Sequence, residues 1–147
     1  KHYGVFSDTT TQTASVTTAA YPMRFNTTEI SDGVSVISGS RITVDNTGLY
    51  NVQFSAQLEK NSGTKSIGFI WLSKNNSPVS QSNTQITLDG ANGDRIVAAW
   101  NWVDEANSND YYEIEWTATQ SNTFLSYDAT PTYGPVIPSL IVTLTQV

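Results

Sequence analysis

Ser40-Arg-Ile-Thr-Val-Asp-Asn-Thr-Gly-Leu-Tyr-Asn-Val-Gln-Phe-Ser-Ala-Gln57 is the stretch that decides the fold. Ile42 and Val44 alternate with polar neighbours, Asn46 and Gly48 supply turn residues, and Tyr50, Val52, Phe54, Ala56 and Leu58 then fall on every second position. A period of two puts one set of side chains on one face of a strand and the intervening set on the other, which is the signature of a half-buried strand. Two alternating strands joined by a short turn therefore occupy this segment.

Working outward, strand signals recur along the chain. They lie at Tyr3–Ser7, Gln12–Val16, Tyr21–Phe25, Val34–Ile37, Gln85–Leu88, Ile96–Val103, Asp110–Trp116, Phe124–Tyr127 and Leu140–Val147. Pro22 marks a sheet edge or a strand start, because proline cannot donate to a ladder. Ile67–Leu72 is a continuous apolar run, expected to be covered on both faces. Lys60–Thr64, Lys74–Pro78 and Asp89–Asp94 read as turns, and Asp104–Asn109 as a polar loop. No window carries apolar residues at helical spacing, so the expectation is an all-β sandwich of about eight to ten antiparallel strands. The expected core includes Tyr50, Val52, Phe54, Phe69, Trp71, Trp100, Tyr112, Ile114, Trp116, Val142 and Leu144. Residues 1–147 are expected to form a single domain, with 1–20 as N-terminal strands or an arm.

Composition narrows the function. The chain has 147 residues, a net charge of −6 and only seven Lys and Arg, which argues against a phosphate-binding surface and so against nucleic acid as partner. There is no cysteine, hence no disulfide, thiolate metal site or Cys nucleophile. No apolar run approaches the roughly 20 residues that span a bilayer as a helix, so no membrane partner is expected. Charged residues make up 14% against about 25% in an average soluble protein. Uncharged polar surfaces of this sort suit extracellular or virion proteins. The chain begins at Lys1 rather than Met, as a processed chain or an excised domain would.

With the strands placed, the pattern resembles the jelly-roll superfamily of tumour necrosis factor and the globular heads of complement's first component. Ile42–Phe54 is similar to that family's strand, Gly-x-Tyr turn and following strand. Asn109–Trp116 sits where the family has Gly-Asp before its penultimate strand, with Asn109 in place of Gly, and Pro138–Val147 ends the chain as the family's last strand does. Tyr3–Gln12, Val97–Asn101 and Pro138–Val147 further resemble tailed-bacteriophage virion proteins built on this jelly roll. The resemblance implies a jelly-roll homotrimer that acts by binding or attachment, as a capsid decoration protein or a fibre knob on the virion. Its partners would be its own copies and other virion proteins. The alternative is a head domain that recognises a host-surface glycan or protein.

His2 is the sole histidine and sits at a terminus, which leaves no base for a Ser-His-Asp triad and no His-based metal site. Glu113 and Glu115 share a strand face and are expected to be a solvated face or an edge defence. Asp89–Asp94 lacks the spacing of a calcium loop, and Asp104, Glu105 and Asp110 form a second weak cation candidate. Neither Gly-rich turn precedes a helix, so phosphate cradling has no support. Trp100, Trp102 and Trp116 share parity with core positions, which leaves Tyr111, Tyr127 and Tyr133 as candidates for surface recognition. Asn26-Thr-Thr28 and Asn75-Asn-Ser77 match the glycosylation tripeptide. The expectation is thus a non-enzyme with no catalytic residue, cofactor or metal. Its trimer contacts are expected from the outward set of three strands: Asn51, Gln53 and Ser55; Val97, Ala99 and Asn101; Ile141, Thr143 and Thr145.

Overall fold

A computed structural model describes all residues, 1–147. It contains no helix. The fourteen strands are β1 (Tyr3–Asp8), β2 (Gln12–Thr13), β3 (Tyr21–Pro22), β4 (Thr27–Asp32), β5 (Val34–Ile37), β6 (Arg41–Val44), β7 (Gly48–Lys60), β8 (Ser66–Lys74), β9 (Ser77–Pro78), β10 (Thr84–Leu88), β11 (Arg95–Ala106), β12 (Tyr111–Ala118), β13 (Thr123–Leu125) and β14 (Leu140–Gln146). Ten have four residues or more, and all pairings are antiparallel.

They form two seven-stranded sheets. In the first, β11 pairs along the whole of β7, and β14 and β13 share the other side of β7; β1 and β4 follow beyond β14, and β2 beyond β13. In the second the order is β10-β8-β12-β6-β5, with β9 beside the end of β8 and β3 beside β12. A core cluster of 24 buried residues fills the space between them, so the all-β jelly-roll sandwich read from the sequence is the fold.

Strand β7 shows why. Tyr50, Val52, Ala56 and Leu58 are fully or almost fully buried and alternate with exposed or half-buried neighbours. The Tyr50 hydroxyl donates to the Asn46 carbonyl at 2.8 Å, closing the turn that precedes the strand. At the far end Lys60 is fully buried, its Nζ donating to the carbonyls of Gly63 and Thr64 at 3.4 and 3.3 Å. Asn109, where the resembling family carries Gly, has φ +72°; Asn is among the few residues that enter the left-handed region at low cost, so the turn survives the exchange. On β1 a Cβ at Gly4 would lie 2.6 Å from the Phe6 ring, so a side chain there would displace Phe6 from the core.

Several expectations need correction. Phe69 and Trp71 are not core. The inward residues of β8 are Gly68, Ile70 and Leu72, and Phe69 and Trp71 lie half-buried on the outer face. Trp100 and Trp102 do face inward, but on edge strand β11 the opposite sheet covers them only in part; Phe54 meets Trp100 edge-on, with ring centroids 4.7 Å apart. The polar loop at Asp104–Asn109 begins later, because β11 continues to Ala106 opposite Gly48. Gln12–Val16 forms a strand only over two residues: the Gln12 side-chain amide pairs with the Arg24 backbone, donating at 2.8 Å and accepting at 2.9 Å. That does the work of a ladder. Tyr21–Phe25 likewise shortens to Tyr21–Pro22.

Candidate interaction surfaces

The outer face of the first sheet collects the nine residues expected at a trimer contact. Registers place Ala99, Ser55, Ile141 and Ser7 in one row across β11, β7, β14 and β1, with Asn101, Gln53, Thr143 and Val5 in the next and Val103, Asn51, Thr145 and Tyr3 in a third. No charged side chain lies in these rows. Charges stand at the margins: Arg95 Nη2 meets Glu59 Oε1 at 2.6 Å at one end, Glu105 lies at the other, His2 Nδ1 lies 3.8 Å from Asp32 at the corner, and on β4 the Glu29 carboxylate accepts from Ser7 Oγ at 3.0 Å. Val97, Val103 and Ile141 are exposed, and a shallow depression of about 220 Å³ sits at the centre, lined by Gln53, Phe54, Ser55, Ile141 and Thr143.

The outer face of the second sheet is different. Here β8 and β12 run side by side, and registers align Trp71 with Glu115 and Ser73 with Glu113. Their further neighbours at this level are the two-residue strands β9 and β3, with Pro78 opposite Ser73 and Pro22 opposite Glu115. The proline ends ladder growth on each side, leaving a two-stranded floor between two short walls. The resulting groove, about 440 Å³, is lined by Arg41, Trp71, Ser73, Asn76, Glu113 and Glu115 with the two prolines and Ala20 at its rim. A second depression of about 270 Å³ shares Trp71 and Pro78 and continues to Val79, Gln81 and Asn83.

Glu113 and Glu115 are therefore not a solvated face, nor do they defend an edge, since β12 is an interior strand. Glu113 is only 7% exposed, and Ser40 Oγ donates to its Oε2 at 2.7 Å. Burial, and next the neighbouring Glu113 charge, push the Glu115 carboxyl above its usual value. Neither carboxylate pairs with a cation; the Arg41 guanidinium instead sits 4.6 Å over the Tyr111 ring.

The remaining candidates separate. Asp104 and Asp110 converge on Lys74 Nζ, at 2.9 and 3.9 Å, and Tyr112 donates its hydroxyl proton to Asp104 at 2.6 Å, so these carboxylates answer an internal ammonium. Burial and then that bond raise the Tyr112 pKa far above its usual value. The Asn75 amide, the Asn107 N–H and Lys74 hold the Asp110 carboxyl below its usual range. Asp94 accepts from the Gly90 N–H at 2.8 Å within its own turn. Tyr133 is 89% exposed, whereas Tyr111 and Tyr127 are half-buried. The amides of Asn26 and Asn75 are engaged, with Thr9 and with Asp110. No three acidic or histidine side chains cluster in a metal-ligating arrangement.

Among the groove residues, Trp71, Glu113 and Glu115 are those that sequence reasoning placed wrongly. The available signal was Tyr112–Trp116 itself: a strand without Gly, Pro or Lys reads as interior, and the outward side chains of interior strands are crowded by neighbours on both sides.

No family model matches the chain, and no curated protein matches it. Among solved structures it is similar to the globular domain of zebrafish complement 1qA protein, at 15% identity and a TM-score of 0.63 over 100% of this chain and 98% of that one. It is also similar to murine APRIL, at 9% identity and a TM-score of 0.55 over 99% of this chain and 98% of that one. At such identities the likeness is one of fold: the chain has the jelly roll of the tumour-necrosis-factor and complement-head type.

Proposed function

We propose that the chain is a homotrimeric head domain that acts by assembly and adhesion, without catalysis, on the surface of a virion. The observation that carries the assembly is the set of three registered rows across β11, β7 and β14, which hold no charged side chain. Interface centres are depleted of charge and ringed by polar residues, and the three registered rows with Glu59, Arg95, Glu105 and Asp32 at their margins have that anatomy. Small side chains at Ser55, Ala99 and Thr143 permit close approach, and Asn51, Gln53 and Asn101 favour a partly wet contact. The virion setting rests on the resemblance of Tyr3–Gln12, Val97–Asn101 and Pro138–Val147, as capsid decoration or fibre knob.

Light scattering of the purified chain tests the assembly: a trimer is expected, and a monomer at micromolar concentration overturns it. Electron microscopy of particles carrying the chain tests the location. A second reading, a head that recognises a host-surface glycan or protein, is favoured by the groove on the opposite sheet.

A further inference from the structure

We propose that the groove between β3 and β9 binds an uncharged pyranose ring, with the Trp71 indole as stacking wall and Glu113, Glu115, Arg41 and Asn76 as the hydrogen-bonding set. The inference rests on the reading of the chain as a binding head and gives that head a ligand class.

The chemistry of the lining selects the ligand. Two carboxylates accept, a guanidinium and an amide donate, and an indole offers a flat apolar surface. A ligand that fits must donate and accept on neighbouring atoms and present an apolar face, which is what a pyranose does with its vicinal hydroxyls and its axial C–H face. An acidic sugar or a phosphate would meet Glu113 and Glu115 with like charge. A simple cation would leave Arg41 facing it within the same cavity, and would leave the groove's donors unused. Glu113 has one oxygen committed to Ser40, and Glu115 has no hydrogen-bond or ion-pair partner at all. Their remaining oxygens are open to the groove and free to accept from a ligand.

Shape supports the same conclusion. A volume of about 440 Å³, flanked by a second depression of about 270 Å³ that shares Trp71 and Pro78, suits a ring and a linked neighbour, within the range of roughly 300–1,000 Å³ usual for small-ligand sites. Asn75 and Asn76, with φ of +49° and +65°, are the two-residue turn that joins β8 to β9 where Lys74 pairs with Ser77, as a type I′ hairpin requires, and this tight turn fixes the Asn76 end of the groove.

The full chain is titrated by saturation-transfer NMR with the methyl pyranosides of glucose, galactose, mannose and N-acetylglucosamine. Methyl glucuronide and N-acetyl-lysine methylamide serve as acidic and cationic rivals, and light scattering is recorded on the same samples. At least one neutral pyranoside is expected to bind and the glucuronide not. Trp71→Ala is expected to weaken binding about tenfold or more, as loss of a central aromatic contact does. Arg41→Gln, at an exposed position that leaves the fold intact, is expected to weaken it severalfold. Silence from every neutral pyranoside, binding of the amine alone, or binding undiminished in both variants overturns the proposal. A trimer that binds no sugar removes this inference alone, and a monomer that binds sugar removes the assembly reading alone.

Discussion

The two outer faces of this sandwich come from strands of similar period and similar inward residues, yet one carries unbroken uncharged rows across its middle and the other is cut by a groove carrying two carboxylates and an indole. On the first, long strands β7, β11 and β14 pair without interruption, so outward side chains form unbroken rows. On the second, β9 and β3 stop at Pro78 and Pro22, and the floor between them sinks below its walls. Ladder continuity, more than composition, decides which face can meet a flat partner and which can hold a small one.

A charge placed in the rows should break this contrast most strongly. Ala99→Arg brings three like charges together near one axis and is expected to leave only single chains by light scattering, whereas Thr87→Arg, an exposed position on the second sheet, should leave the assembly intact. Dissociation by both would erase the distinction between the faces. Next in size is Phe54→Ala, directly beneath the central depression of the first face: loss of a buried aromatic there should cost about 3–5 kcal/mol in chemical denaturation. Ser40→Ala removes the donor to Glu113 and should cost about 1–3 kcal/mol at neutral pH, as for a buried acceptor left without its partner.

The smallest effects are pH-dependent and opposite in sign. Because the Glu115 carboxyl is raised in the folded chain, its favourable contribution is complete below the unfolded value of about 4.3 and is lost as pH rises through the folded value. Glu115→Gln should therefore raise Tm at pH 7 and leave it nearly unchanged in acid. Asp110 is lowered in the folded chain, so its contribution is present above the unfolded value of about 3.9 and is lost as pH falls through the folded one. Asp110→Asn should lower Tm at pH 7, with the difference closing in acid. Equal responses from the two variants would show that the two carboxylates share one environment.

Much of the first face was legible in the sequence and little of the second. Tyr50 to Leu58 and Leu140 to Val147 alternate cleanly because one side is core and the other open, so parity alone places Asn51, Gln53, Ser55, Ile141, Thr143 and Thr145 on a common face. In Ile67–Leu72 both parities are apolar, and nothing local says that Ile70 and Leu72 turn inward and Trp71 outward; the registers Ile114 to Leu72 and Trp116 to Ile70 decide it. Strand β4 went unread for the opposite reason: at the sheet edge it is exposed almost throughout, so no alternation marks it. Glu113 was misjudged because its cover comes from Ser40, distant in sequence.

Lys60 turns the far end of the sandwich into a clock. Its backbone exchanges hydrogen bonds with the loop at Gly93 and Asp94 while its ammonium holds the carbonyls of Gly63 and Thr64, so its amine reaches solvent only when that end of the fold opens. Lys1 and Lys65 are exposed and will react with an acylating reagent at once. The slow acylation of Lys60, followed by mass spectrometry, measures the opening rate of this one corner, in the free chain and in whatever assembly or complex it enters.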